Sequence, residues 1–162
     1  MNTSLDLTKK VMKQLSGEHI QHIEEEYQNN VYEGVRFSIG CKTYRSRLAK
    51  RTPKKSGYFV VCWEKSPTGE NQAYTYENSP DRLIISIIDG VRKGQFVFPK
   101  KILVEKGILK GPMSKGKMAF RVYPLWETNL NKTALATQRW QQPYFFEYSI
   151  DKYREKIKEL YA

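Results

Sequence analysis

No apolar run in this chain approaches the roughly 20 residues that a membrane-crossing helix needs; the longest, Tyr58–Trp63, has six. The polar start MNTSLDLTKK lacks the apolar stretch of a secretory signal, so no membrane partner is expected and the cytoplasm is the expected location. Cysteine is scarce. Cys41 and Cys62 lie in separate apolar segments, which excludes a disulfide framework and suggests buried thiols on adjacent strands. His19 and His22 stand three apart with Glu26 beyond, but two imidazoles without a third firm ligand do not make a metal site. Pro80-Asp81 fits the first half of a restriction-type nuclease signature, yet no Asp or Glu is followed two residues later by Lys. Hydrolase nucleophile motifs are missing, and neither cysteine has a histidine base. Gly111–Met118 (GPMSKGKM) nearly spells a phosphate-binding loop but ends in Met where a metal-binding hydroxyl belongs, and a strand follows instead of a helix. No catalytic residue, metal or cofactor is therefore assigned.

What is present is charge of one sign, unevenly placed. The 162 residues carry a net charge of +11, with 40% hydrophobic and 13% aromatic residues, enough for one domain with a substantial core. Residues 1–34 sum to −3, residues 42–55 to +7 with no carboxylate, and residues 91–121 to +8 with Glu105 as the lone acid. Packing seven cations into fourteen residues is unfavourable through self-repulsion unless solvent or an anionic partner offsets it. Two such blocks suggest a basic face.

Periodicity supplies the frame. Thr8, Val11, Met12 and Leu15 predict a helix over residues 5–15 with Gly17 as its stop, and residues 18–30 read as either a short helix or an edge strand. Alternation from Val35 predicts one strand running to about Arg51, with a bulge near Thr43. Turn residues 52–57 then lead to a return strand Tyr58–Trp63, so the cationic run would form one arm and the tip of a long hairpin. Leu83–Ile88 reads as a central strand, followed by a strand Gln95–Phe98 and a helix Lys100–Lys106 that Pro99 opens and Gly107 closes. A strand Met118–Tyr123, a helix Leu130–Gln141 and a last amphipathic helix from Ser149 with Ile150, Ile157 and Leu160 complete the chain. The expectation is a single α+β domain over 1–162, its mainly antiparallel, twisted sheet flanked by N-terminal and C-terminal helices.

On the predicted hairpin Arg45, Arg47 and Arg51 share one strand face, and Lys54 and Lys55 add charge at the tip. Tyr44 and Tyr58 offer rings for stacking or packing. A competing reading pairs Arg45 and Arg47 with acids of the 18–33 segment. In the second block Lys100 and Lys101 oppose the dipole of the helix they open, which favours an anion nearby.

Four segments, taken in order, carry a resemblance: Ala49–Gly57 (AKRTPKKSG) leading to Phe59, Val60 and Trp63; Gly94–Lys100 (GQFVFPK); Lys115-Gly116-Lys117 with Phe120–Pro124 and Trp126; and Thr137–Gln141 (TQRWQ) ahead of Tyr144-Phe145. Together they resemble the MepB family of small bacterial proteins over about residues 35–146. The resemblance implies a compact cytoplasmic domain with a proposed nucleic-acid-binding role and no settled enzymatic activity. Arg47, Lys50, Lys54, Lys55, Lys115, Lys117, Arg121 and Gln138 lie in or beside the matching motifs, whereas Phe96, Phe98, Phe120, Val122, Trp126 and Trp140 read as core. The leading expectation is a non-enzymatic module that holds DNA or RNA through phosphates, using Arg45, Arg47, Lys50, Arg51, Lys54, Lys55, Lys115, Lys117, Arg121 and Gln138. The alternatives are a Mg²⁺-dependent nuclease built on Asp89 with Asp81, Glu64 or Glu105, and a basic module that meets an acidic protein.

Overall fold

The structure, a computed structural model, describes residues 2–15, 19–149 and 152–162. Its frame is a six-stranded sheet. β1 (Ile20–Glu25), β2 (Val35–Ile39), β3 (Lys42–Leu48), β8 (Arg82–Asp89), β9 (Arg92–Pro99) and β11 (Phe145–Glu147) lie side by side in that order. Every neighbouring pair is antiparallel except β3 with β8. β4 (Lys50–Arg51), β5 (Tyr58–Val61) and β10 (Ala119–Val122) make a small antiparallel sheet in the order β10-β5-β4, and β6 (Trp63–Lys65) pairs with β7 (Asn71–Ala73). The α+β class and the mainly antiparallel sheet are as expected.

β8 is apolar along its length because both of its faces are covered. Leu83, Ile85 and Ile87, with Phe96 and Phe98 of β9, pack toward Tyr58, Val60, Phe120 and Val122 of the small sheet and Leu103 of α2 (Lys100–Glu105). Ile84 and Val97 face the other way, onto Leu7 and Val11 of α1 (Thr3–Met12) and Ile157 and Tyr161 of α4 (Arg154–Tyr161). On that side Gln95 is fully buried and satisfied, donating to Thr8 and Ser86 and accepting from the Tyr161 hydroxyl.

Several predicted elements are redrawn. The single strand to Arg51 is instead a hairpin: Gly40, at φ +59°, turns the chain between β2 and β3, and the phase change near Thr43 is that reversal. The long hairpin arm is likewise divided, since β3 pairs with β2 and β8 while only Lys50 and Arg51 pair with β5. Cys41 sits exposed at the first turn and Cys62 is buried, so the thiols are not a buried pair. His22 lies in the edge strand β1, not on a helix. α1 ends at Met12, and its expected stop at Gly17 falls outside the described residues, as does Ile150. α4 begins at Arg154 without a side-chain cap, so Ser149 does not open it. α3 (Lys132–Gln141) starts two residues later than expected because the Asn131 side chain accepts from the Ala134 N–H.

Gly94 lets β11 approach β9. A Cβ there would stand 2.7 Å from the Phe145 ring and 2.8 Å from the Phe146 carbonyl oxygen, well inside contact distance. Gly94→Ala is expected to lower the unfolding free energy by about 1–3 kcal/mol through overpacking. A urea titration reads this directly; an unchanged midpoint would show that β11 docks elsewhere.

Candidate nucleic-acid interface

The register of β3 against β8 decides where the first cations point. Arg45 and Arg47 pair with Leu83 and Ile85, whose side chains enter the core between the two sheets. The two arginines do share a face, as alternation requires, but that face is inward. Arg47 is fully buried and Arg45 is 5% exposed, so neither reaches an external ligand, and both are corrected out of the interface.

Glu26 meets them. Its Oε1 accepts from Arg47 Nη1 at 2.7 Å and from Arg45 Nε at 3.1 Å, while Asn29 Oδ1 and the Tyr74 hydroxyl accept from Arg47 Nη2 at 2.7 and 2.9 Å. The Arg45 guanidinium also lies 3.4 Å from the centroid of the Tyr74 ring. Burial pushes the Glu26 carboxyl up, but the two guanidiniums outweigh it and hold the group below the usual carboxylate range. Gly34 makes room for this cluster, since a Cβ there would come within 2.9 Å of the Glu26 carbonyl oxygen. The competing expectation for these two arginines describes them correctly.

Arg51 is committed in a different way. It bonds Asp89 and Glu127 at 3.1 Å each and lies over the Tyr58 ring at 4.4 Å. The Tyr58 hydroxyl donates to Asp89, and that bond, followed by the one from Arg51, keeps the Asp89 carboxyl below its ordinary range. Gln138 is a splint: its amide donates to the carbonyls of Pro124 and Glu127, which leaves it a structural role. Lys100, at the start of α2, lies 4.6 Å from the Tyr76 ring centroid, a stabilising contact that opposes its unfavourable place on the helix dipole.

The remaining cations converge. A groove of about 410 Å³ is lined by Lys54, Lys55, Arg121 and Tyr123 together with Thr133 and Ala134 of α3. A second recess, about 210 Å³, continues from it through the same Arg121 and Tyr123 to Lys106, Lys117, Phe120 and Trp140. Thr133, Ala134, Thr137, Trp140 and Gln141 recur at helical spacing, so one face of α3 walls both cavities over roughly 12 Å. None of the residues that line either cavity is acidic.

The walls are tied together. Arg121 donates to the Ser56 carbonyl and the Thr52 hydroxyl, which holds the tip of the β4–β5 turn against β10. Gln141 accepts from the Tyr123 N–H and donates to the Arg121 carbonyl, each at 2.9 Å, so its buried amide satisfies the free edge of β10 and binds α3 to it. Lys50, Phe59 and Arg121 are cross-strand partners and therefore neighbours on one sheet face. Lys115 is exposed two residues from Lys117.

The structure thus places Lys54, Lys55 and Arg121 on one cavity and Lys117 on the adjoining one, which shares Arg121; Lys50 stands across Phe59 from Arg121, and Lys115 lines neither cavity. Sequence reasoning did not single out Lys106, Tyr123 or the groove-lining part played by Trp140. Helical spacing from Ala134 to Trp140 was the available signal, but nothing in it says that this face of the helix is only partly covered.

The four carboxylates considered for a nuclease do not meet. Asp81 and Asp89 stand at opposite ends of β8, roughly 26 Å apart along an extended strand. Asp81 accepts from Thr43 and Glu64 from Gln72. Among the described residues no three Asp, Glu, His or Cys side chains gather where they would hold a metal ion. No helix among them is long and apolar enough to cross a membrane.

A family model described as MepB-like matches residues 26–147. A crystal structure of MepB superposes with a TM-score of 0.80 at 47% identity, covering 90% of this chain and 97% of that one. The structure of a bacterial homing endonuclease aligns with a TM-score of 0.43 at 10% identity over 85% of this chain and 88% of its own, a likeness too distant to carry an argument. No curated protein sequence matches.

Proposed function

This chain belongs to the MepB-like family, and we propose that it is a non-enzymatic module that binds nucleic acid chiefly through phosphates. The observation that supports this reading is the convergence of two basic blocks on a groove without an acidic lining residue. Lys54 and Lys55 come from the first block, Lys106, Lys117 and Arg121 from the second. Like charges held together in such a groove repel one another and favour a partner with regularly spaced negative charge. Arg121 stands midway, fixed by neutral partners, and is free to take a phosphate oxygen without giving up an ion pair.

About five phosphate contacts imply a log–log salt slope near −3.5 on a single strand and near −4.5 on duplex. A fourfold rise in salt is then expected to weaken binding by about a hundredfold on single strands and about five-hundredfold on duplex. Anisotropy titrations of labelled oligonucleotides at two salt concentrations measure the slope. A slope near zero, or no binding at low salt, would remove the proposal.

A further inference from the structure

We propose that a small pocket lined from β3, β8 and α2 holds one monovalent anion of halide size, bound by the Arg45 guanidinium. The inference is independent of the nucleic-acid reading and concerns a different part of the molecule.

The charges around Arg45 do not balance. Arg45 is 5% exposed and Arg47 fully buried, yet among the described residues Glu26 is the one carboxylate that either of them bonds. The other side-chain partners of Arg47, Asn29 and the Tyr74 hydroxyl, are neutral. One positive charge is left over in the core, where an ion without a counter-charge is strongly unfavourable. Arg45 also has donors to spare. It bonds Glu26 through Nε, and neither Nη1 nor Nη2 makes a hydrogen bond among the described residues.

Arg45 lines a pocket of about 20 Å³ that has Leu83 and Leu103 in its apolar wall and no acidic lining residue. Arg82 and Lys100 line it too, but their head groups turn away, to the carbonyls of Leu160 and Ala162 and to that of Tyr76. The Lys117 ammonium and the buried, free Cys62 thiol remain as further donors at its wall.

Room and charge together select the occupant. A single water needs roughly 10–15 Å³, so the space takes one particle of about that size and excludes sulfate, phosphate and any polymer. Water would fill the space but leave the charge uncompensated. A halide does both, and it accepts hydrogen bonds from the idle guanidinium nitrogens.

The test reads stability and position. At constant ionic strength, chloride is exchanged for gluconate, an anion too bulky for the pocket. The unfolding equilibrium constant in urea is expected to fall about tenfold once chloride reaches about ten times its dissociation constant. Lys117→Gln, at an exposed position, is expected to raise the chloride required by about two- to fivefold. Arg45→Met is expected to abolish the dependence. A crystal of the unaltered protein soaked in bromide is expected to show an anomalous peak within hydrogen-bonding reach of Arg45 Nη1 or Nη2. That measurement needs no variant and stands even if Arg45→Met does not fold. Stability indifferent to chloride, or bromide found only on surface lysines while water fills the pocket, would overturn the proposal. Either result leaves the phosphate-binding reading of the groove untouched.

Discussion

Glu26→Gln is expected to destabilise the fold by about 3–5 kcal/mol, because it leaves two guanidiniums in the core without a counter-charge. Arg47 is fully buried and Arg45 nearly so, and both direct their donors at this one carboxylate. Removing one partner of a buried ion cluster is more damaging than removing all of it, since the desolvation penalty of the survivors persists. The triple variant Glu26→Leu/Arg45→Met/Arg47→Met should therefore be more stable than Glu26→Gln alone. Acid has a related effect. The Glu26 pKa is lowered in the fold, so its stabilisation is complete above the ordinary value of 4.5 and is lost as pH falls through the lower folded value. Urea unfolding at pH 7 and across the acid range checks both points. A Glu26→Gln variant within about 1 kcal/mol of the parent would mean that Glu26 does not hold these arginines.

Reversing Lys54, Lys55 and Lys117 to Glu together is expected to cut nucleic-acid affinity by at least about a hundredfold, with the thermal midpoint almost unmoved. All three are exposed and line the two cavities, and no ion pair found among the described residues involves them. The right control has the same change in net charge. Lys9, Lys10 and Lys13 at the exposed side of α1 lie across the large sheet from the groove, and their reversal should alter binding only slightly. The salt slope of the groove variant should also flatten, by about 0.7 for each single-strand phosphate that the protein no longer neutralises. Equal losses in the two variants would show that net charge, not the groove, attracts the ligand.

The sequence displayed the strands well where one rule governed them. β8 stood out as a central strand because five of the six residues Leu83–Ile88 are apolar and such a run has few other uses, and β9 and α2 followed from a hydrophobic run ending at a proline. The site was legible in its composition more than in its geometry. Both basic blocks contribute to the groove, but residue spacing could not tell inward cations from outward ones. Arg45 and Arg47 alternate as a solvated strand face would, and only the pairing of β3 with β8 reveals that this face is covered. That pairing is parallel and joins residues 38 apart, so no local pattern encodes it. The break of the cationic run at Ala49, where the chain passes from the large sheet to the small one, was hidden for the same reason.

The two glutamines of α3 have a consequence for the speed of recognition. Gln141 bolts the helix to the rim of the small sheet, and Gln138 bolts it to the loop that follows β10. The trough between helix and sheet is preorganised, so a ligand need not spend association energy on arranging its host. For the proposed nucleic-acid ligand, association would need no rearrangement of the host, and long-range attraction is expected to set its rate.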